Sequence, residues 1–239
     1  MRLVDGVKRR WHDDLVAHPD THAWVLSLYR AGELHPQTVR DYFPAWAADD
    51  PALRASIEQH EKDEAKHVRM YDGALAKLGL PRTEFEGMDV FNVVIRAETG
   101  VSFSMDGLDA DARRERLAHF LANAHFLEKR VVRSVEYHLE ACVRAGRTDV
   151  ARVVELVGAD EERHVAYTLA AVRDLLGSPA RVAEVLELHR RGEERANLRF
   201  SARQVRAFLA RFSDHVGVRH SLLYRASASM MEAARAALS

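Results

Sequence analysis

Two five-residue stretches decide how the chain is interpreted: DEAKH at residues 63–67 and DEERH at residues 160–164. Both follow the pattern Asp-Glu-x-x-His, and each lies inside a long segment of helix-forming residues. Because residues three apart lie on one face of a helix, the glutamate and the histidine of each stretch project together. A carboxylate and an imidazole on one face supply half of a metal site, so two such helices can enclose a pair of ions.

The two stretches resemble copies of one helical unit. Each is followed by an apolar run and then by a Gly-Pro ending, LGLP at residues 78–81 and LGSP at residues 176–179. A single Glu-x-x-His pattern occurs readily on a solvated helix face, and two solvated faces are the alternative interpretation. Two copies that share the preceding aspartate favour the metal site.

Composition limits the class of protein. The chain has 239 residues, 47% hydrophobic and 30% charged, which is typical of a globular domain, and its net charge of −1 gives no overall attraction to nucleic acid or membrane. Its single cysteine excludes an intramolecular disulfide and fits a reducing compartment. No segment resembles a signal peptide or the ~20 apolar residues of a membrane span. We therefore expect a cytoplasmic protein.

Periodicity and the scarcity of glycine and proline predict an all-α fold. Helices are expected over residues 21–48, with breaks at Pro36 and Pro44, and over 51–78, 110–145 and 148–176. Residues 80–109 read as a long connection containing one short helix or buried segment. Beyond residue 180 we expect two or three further helices, including residues 203–212 and 221–238.

The paired motifs resemble those of the ferritin-like di-iron carboxylate superfamily, over roughly residues 20–180. The resemblance implies a four-helix bundle with a long crossover between its second and third helices. It also implies an N-terminal segment at residues 1–19 and a C-terminal helical extension at residues 181–239 that packs on the bundle. The metal ligands would be Glu64, His67, Glu161 and His164, completed by Glu128 and Glu33. Asp63 and Asp160, which precede the ligand glutamates, would hydrogen-bond the ligand histidines.

Two ligands in this set depend on helix register. Glu128 and Glu161 both lie about 14 to 18 residues from the turn near Gly146, which places them at similar heights. Glu33 and Glu64 stand in the same relation to the turn near residue 50, but Pro36 follows Glu33 closely. Glu98 in the crossover is therefore an alternative first-helix ligand. His60, one turn before Glu64, is a further candidate that the sequence leaves open.

The resemblance implies two iron ions, although carboxylate and imidazole ligands also accept manganese. With O2 as co-substrate, the expected activity is that of a di-iron oxygenase or oxidase acting on a small organic molecule, with an external electron donor. The alternatives are a ferroxidase or peroxidase that handles iron alone, and a non-catalytic helical interaction module. Nucleic acid and membrane are not expected partners. The sequence does not determine the oligomeric state, and a homodimer is one possible state.

Overall fold

The computed structural model describes residues 2–238, and the side chains from residue 5 onward. All regular elements of this part are helical, so the all-α prediction is confirmed. The α-helices are α1 (Arg2–Ala17), α2 (Pro19–Thr38), α3 (Pro51–Leu78), α4 (Phe91–Thr99), α5 (Ala110–Arg144), α6 (Thr148–Leu176), α7 (Pro179–Phe212) and α8 (Val218–Ala237). Short 3-10 turns lie at Ala45–Ala47, Gly87–Asp89 and Ser213–His215.

Local capping explains why α3 begins and ends where the sequence predicts. The side chain of Asp50 accepts hydrogen bonds from the backbone nitrogens of Ala52 and Leu53, at 3.1 and 3.2 Å. Pro51 occupies the first helical position, where its missing N–H costs nothing. The helix ends at Gly79, whose φ of 66° is left-handed and favours glycine.

Helix α2 differs from its prediction. It ends at Thr38 rather than near residue 48, and residues 39–50 form a connection that contains the first 3-10 turn. Pro36 lies inside the last turn of the helix. A proline there disturbs only the bonds of that turn, so Glu33, one turn earlier, keeps its helical geometry.

Four helices surround the centre of the molecule as two hairpins. Helix α2 packs on α3, α5 packs on α6, and α3 also contacts α6. The segment between the hairpins contains α4, whose Val94 and Ile95 are buried, so the predicted buried segment is a regular helix. The apolar core between the hairpins includes Leu26, Tyr71 and Val154.

The remaining helices cover this central group. Helix α7 is continuous over 34 residues, so the prediction of a separate helix at residues 203–212 is wrong. It passes close to α4, where a Cβ on Gly192 would lie 2.6 Å from Thr99 Oγ1. The N-terminal segment forms α1, which packs on α5 and α2. No helix within residues 2–238 is both long enough and apolar enough to cross a membrane.

Candidate metal centre

The structure brings six sequence-predicted residues into one buried cluster, to which four helices contribute. Helix α2 supplies one residue, α3 two, α5 one and α6 two, and each of these residues is at most 7% exposed. With His60 of α3, which is equally buried, they form what we call the carboxylate cluster. Its members are Glu33, His60, Glu64, His67, Glu128, Glu161 and His164.

Glu161 lies between the histidines of the two motifs. Its Oε1 is 3.2 Å from His67 Nδ1, and its Oε2 is 2.7 Å from His164 Nδ1. Glu33 Oε2 also approaches His67 Nδ1, at 3.3 Å. One imidazole nitrogen can hold only one proton, so its convergence with two carboxylates leaves one of them without a full hydrogen bond, and an ion among the three groups could satisfy all of them.

His60 belongs to the cluster, a position that the sequence left open. Its Nε2 lies 3.3 Å from Glu64 Oε1 and 3.5 Å from Glu128 Oε1. Its ring stacks on that of His164, with the centroids 3.7 Å apart. Its Nδ1 is 2.8 Å from the hydroxyl of Tyr167. Sequence reasoning missed Tyr167, although its place one turn after His164 on α6 could have marked it.

The donor atoms divide into two groups of four, each with all its atoms within 4.8 Å of one another. Both groups contain Glu64 and Glu161. These two carboxylates could therefore bridge a pair of ions. The first group is His60, Glu64, Glu161 and His164. The second group is Glu33, Glu64, His67 and Glu161. Glu128 lies beside the first group, through its approach to His60.

Burial shifts the protonation of the metal-free cluster. It raises the pKa of Glu64, to which the charge of Glu33 adds, and it raises that of Glu128, to which Glu161 adds. Burial alone would lower the pKa of His67, but its hydrogen bonds with Glu161 and Glu33 raise it to about 11. Without metal, protons therefore neutralise part of the cluster.

The aspartate of each motif lies beside the histidine of the other. Asp160 Oδ2 is 3.0 Å from His67 Nε2, and Asp63 Oδ2 is 3.4 Å from His164 Nε2. An aspartate that accepts the Nε2 proton leaves Nδ1 of the same ring free to bind a metal. Both Nδ1 atoms face Glu161. The tautomer that the aspartates favour therefore leaves the lone pair of each Nδ1 on the side of the carboxylate cluster.

Basic residues from the same two motifs cover this aspartate pair. Lys66 is paired with Asp160, and Arg163 donates to Asp160 Oδ1 at 2.5 Å and to Asp63 Oδ2 at 3.2 Å. Burial would raise the pKa of Asp160, but its hydrogen bonds with Lys66, His67 and Arg163 lower it. The two basic side chains separate this side of the cluster from solvent.

Three other residues with polar side chains near these helices occupy different places. Glu98, the alternative to Glu33, lies outside the cluster and binds arginines, with Arg199 Nη1 at 3.0 Å and Arg235 Nη2 at 2.7 Å. His125 Nδ1 contacts the backbone oxygen of Val165, at 3.1 Å. Tyr71 is fully buried, and burial followed by the charge of Glu33 raises its pKa.

A narrow cavity adjoins His60, Glu64 and Glu128. Its other walls come from α2, the segment after α2, α4 and α5, and they are mostly aromatic or aliphatic. They are Pro36, Tyr42, Phe43, Asn92, Phe120, Asn123, Ala124 and Leu127. Other apolar residues of α5 near Glu128 lie outside the walls of this cavity; they are Leu121, Phe126, Val131, Val132 and Val135.

Comparisons with known proteins add no relative. No protein-family model matches the chain, and neither a curated protein nor a solved structure is significantly similar to it.

Proposed function

We propose that the carboxylate cluster is a di-iron centre of the ferritin-like type, and that the protein is an oxygenase or oxidase acting on a small organic molecule. The observation that carries the proposal is the pair of four-donor groups that share Glu64 and Glu161. Two ions held side by side need bridging carboxylates, and this arrangement provides them. The helix order of hairpin, crossover and hairpin supports the proposal, because ferritin-like bundles also have one long crossover connection.

The donor set fits two iron ions in charge and in hardness. Four glutamates carry four negative charges when ionised, which balances two Fe(II) ions, and carboxylate with imidazole is a ligand set that iron accepts. His60 Nε2 and Glu161 Oε1 are buried and make no well-aligned hydrogen bond, although a carboxylate lies 3.3 Å from the first and an imidazole 3.2 Å from the second. Unsatisfied buried polar atoms are costly, so an ion that binds these two would stabilise the folded chain.

When bound, two Fe(II) ions would supply the electrons that reduce O2 and the oxidising power that acts on a substrate. The protein residues would hold and shield that centre. Asp63 and Asp160 keep protons on the outer histidine nitrogens, and Tyr167 fixes the orientation of His60. Phe43 and Phe120 keep water away from the cavity side.

The lining of the cavity favours an organic substrate over iron handling alone. The cavity has a volume of about 10 Å³, which is room for about one water. A small apolar molecule would therefore reach Glu64 and Glu128 only when Phe120 and Leu127 move apart. Repeated turnover would require an external electron donor. In a ferroxidase, by contrast, the ligands need only a route for hydrated iron.

The first test is anaerobic Fe(II) loading, desalting and metal analysis, followed by an optical spectrum when O2 is admitted. We expect about two irons per chain and a new charge-transfer band. Glu64→Ala and His164→Ala should lose both, whereas Glu61→Ala, an exposed glutamate on the same helix, should lose neither. A parallel Mn(II) arm identifies the preferred metal. Retention of no metal would overturn the proposal in favour of the interaction module.

A second test separates oxygenase from ferroxidase. Ala124 lines the cavity, and Ala124→Leu would fill it without removing a ligand. We expect this variant to retain two irons but to lose substrate-dependent O2 consumption when small apolar compounds are screened with a chemical reductant. Continuous oxidation of excess Fe(II) by both proteins, with no organic substrate, would support the ferroxidase instead.

A further inference from the structure

A second buried group of potential ligands lies outside the carboxylate cluster. His22 of α2 meets His138 and Cys142 of α5, and all three residues are fully buried. His12 of α1 lies on the far side of His138. We call these four residues the histidine–cysteine cluster. His22 precedes Glu33 by three helical turns, so the two clusters are about 16 Å apart along α2.

The three donor atoms already have the spacing of a coordination sphere. His22 Nε2 is 3.2 Å from His138 Nε2 and 3.8 Å from Cys142 Sγ, and all three atoms lie within 4.8 Å of one another. Bond lengths of about 2.0–2.1 Å to nitrogen and about 2.3 Å to sulfur place ligand atoms about 3.4–3.6 Å apart for two nitrogens and about 3.6–3.8 Å for nitrogen and sulfur. Binding an ion therefore needs only small side-chain movements.

Hydrogen bonding within the chain leaves part of this group unsatisfied. His22 Nε2 is approached by both an imidazole and a thiol, while His22 Nδ1 is buried without a hydrogen-bond partner. His138 Nδ1 lies 3.4 Å from His12 Nδ1. If His138 Nδ1 donates its proton to His12, His138 Nε2 is an acceptor that faces His22 Nε2, and it becomes available to an ion that displaces the His22 proton.

The charge of the bound ligands decides which ion fits. A metal-bound imidazole is a neutral ligand, and a metal-bound thiolate carries one negative charge. Burial raises the pKa of the Cys142 thiol to about 12, but a metal ion displaces that proton. A thiolate with a monovalent ion leaves the site uncharged, whereas a divalent ion leaves a buried positive charge, which is costly.

We propose that His22, His138 and Cys142 bind one Cu(I) ion. Thiolate with imidazole is a soft donor set that selects Cu(I) or zinc, and charge neutrality favours Cu(I). The Cys142 S–H bond breaks, a Cu–S bond forms and one proton leaves to solvent. No atom changes oxidation state, so the binding step needs no oxidant.

The test is anaerobic Cu(I) titration of the full chain against a chromogenic Cu(I) chelator, with X-ray absorption on the loaded protein. We expect one Cu(I) per chain, coordinated by one sulfur and two nitrogens, with a near-ultraviolet sulfur-to-copper band. The chain has one cysteine, so a sulfur signal of that kind identifies Cys142 as its source. The absorption experiment uses the unmodified protein and therefore does not depend on a variant that folds.

Variants locate the site. Cys142→Ser should remove the sulfur signal and lower copper to background. His138→Gln, which removes one nitrogen ligand, should also lower copper to background. His189→Gln is the matched control, because His189 is also fully buried and lies 3.0 Å from a second imidazole, that of His119, but contacts no thiol. Copper retained without sulfur coordination would overturn the proposal, as would retention of Zn(II) in preference to Cu(I).

Discussion

The carboxylate cluster and the histidine–cysteine cluster share helices α2 and α5 but differ in how they carry charge. The first contains four carboxylates, whose mutual repulsion raises the pKa of Glu64 and of Glu128 beyond the effect of burial. The second contains only groups that are neutral in place, and burial lowers the pKa of its histidines. Hard cations suit the first cluster and soft ones the second. Under the two proposals, one helix pair would support two metal chemistries that do not compete.

The largest expected effect comes from removing Glu161, which belongs to both donor groups of the carboxylate cluster. We expect Glu161→Ala to lose both irons and all O2-dependent activity, because within residues 5–238 no other carboxylate contacts both His67 and His164. Cu(I) binding should be unchanged, since the second cluster lies about three turns away. Metal analysis after loading with each ion measures both effects. Parallel loss of Cu(I) would show that the clusters are not independent.

The next effect concerns the two glutamates that the sequence offered as a first-helix ligand. Glu33→Ala should weaken iron binding by more than about 100-fold, since removing a ligand exceeds the usual effect of an outer partner. Glu98→Ala should leave iron content unchanged and lower thermal stability, because Arg195, Arg199 and Arg235 lose their carboxylate. Iron affinity and melting temperature, measured on both variants, distinguish them. Iron loss in Glu98→Ala alone would reverse the assignment.

Much of this arrangement could be predicted because local signals determine helix ends and faces. The Asp50-Pro51 start and the Gly79 end gave α3 its bounds, and helical register placed Glu128 level with Glu161. The spacing of three within each motif required only that the helix form. These features depend on residues that are near one another in the chain.

Features that depend on tertiary packing could not be predicted in the same way. Spacing put His60 on the correct face of α3 but did not show that its ring would stack on His164. The histidine–cysteine cluster combines three helices, and its only sequence signal is the four-residue spacing of His138 and Cys142. Helix α7 continues past residue 203, where it packs on α4 and α8. No residue near position 203 in the sequence indicates this packing.

The pH dependence of the metal-free protein should have a different origin on each side of neutrality. In the histidine–cysteine cluster, burial followed by Lys8 lowers the pKa of His12 to about 3, and burial lowers that of His22 to about 4, from 6.5 when unfolded. The unfolded chain then binds more protons, so the free energy of unfolding falls as pH drops from about 6.5 towards 4, by on the order of 3 kcal/mol for His22.

His67 of the carboxylate cluster has the opposite sign. Because the pKa of His67 is raised from 6.5 to about 11, its contribution is complete below pH 6.5 and is lost as pH rises through about 11. The free energy of unfolding, measured with a denaturant across the pH range, reports both decreases, which we call the acid limb and the alkaline limb. His22→Gln should flatten the acid limb and leave the alkaline limb intact, while His67→Gln should do the reverse. An acid limb that is unchanged in His22→Gln would contradict this division.

The smallest effect should come from the aspartates that hold the outer nitrogens of the ligand histidines. Asp160→Asn keeps the size of the side chain, but its amide can no longer accept the His67 Nε2 proton as a charged partner, and Lys66 and Arg163 lose their ion pair. We expect iron affinity to fall by about 10- to 100-fold, with Cu(I) affinity unchanged.

Asp63→Asn should have the smaller effect of the two, because its contact with His164 is longer, 3.4 Å against 3.0 Å. Iron titration with a competing chelator ranks the pair. Equal losses would mean that the charge of each aspartate matters more than its hydrogen bond, since both carboxylates lie beside the same two basic side chains.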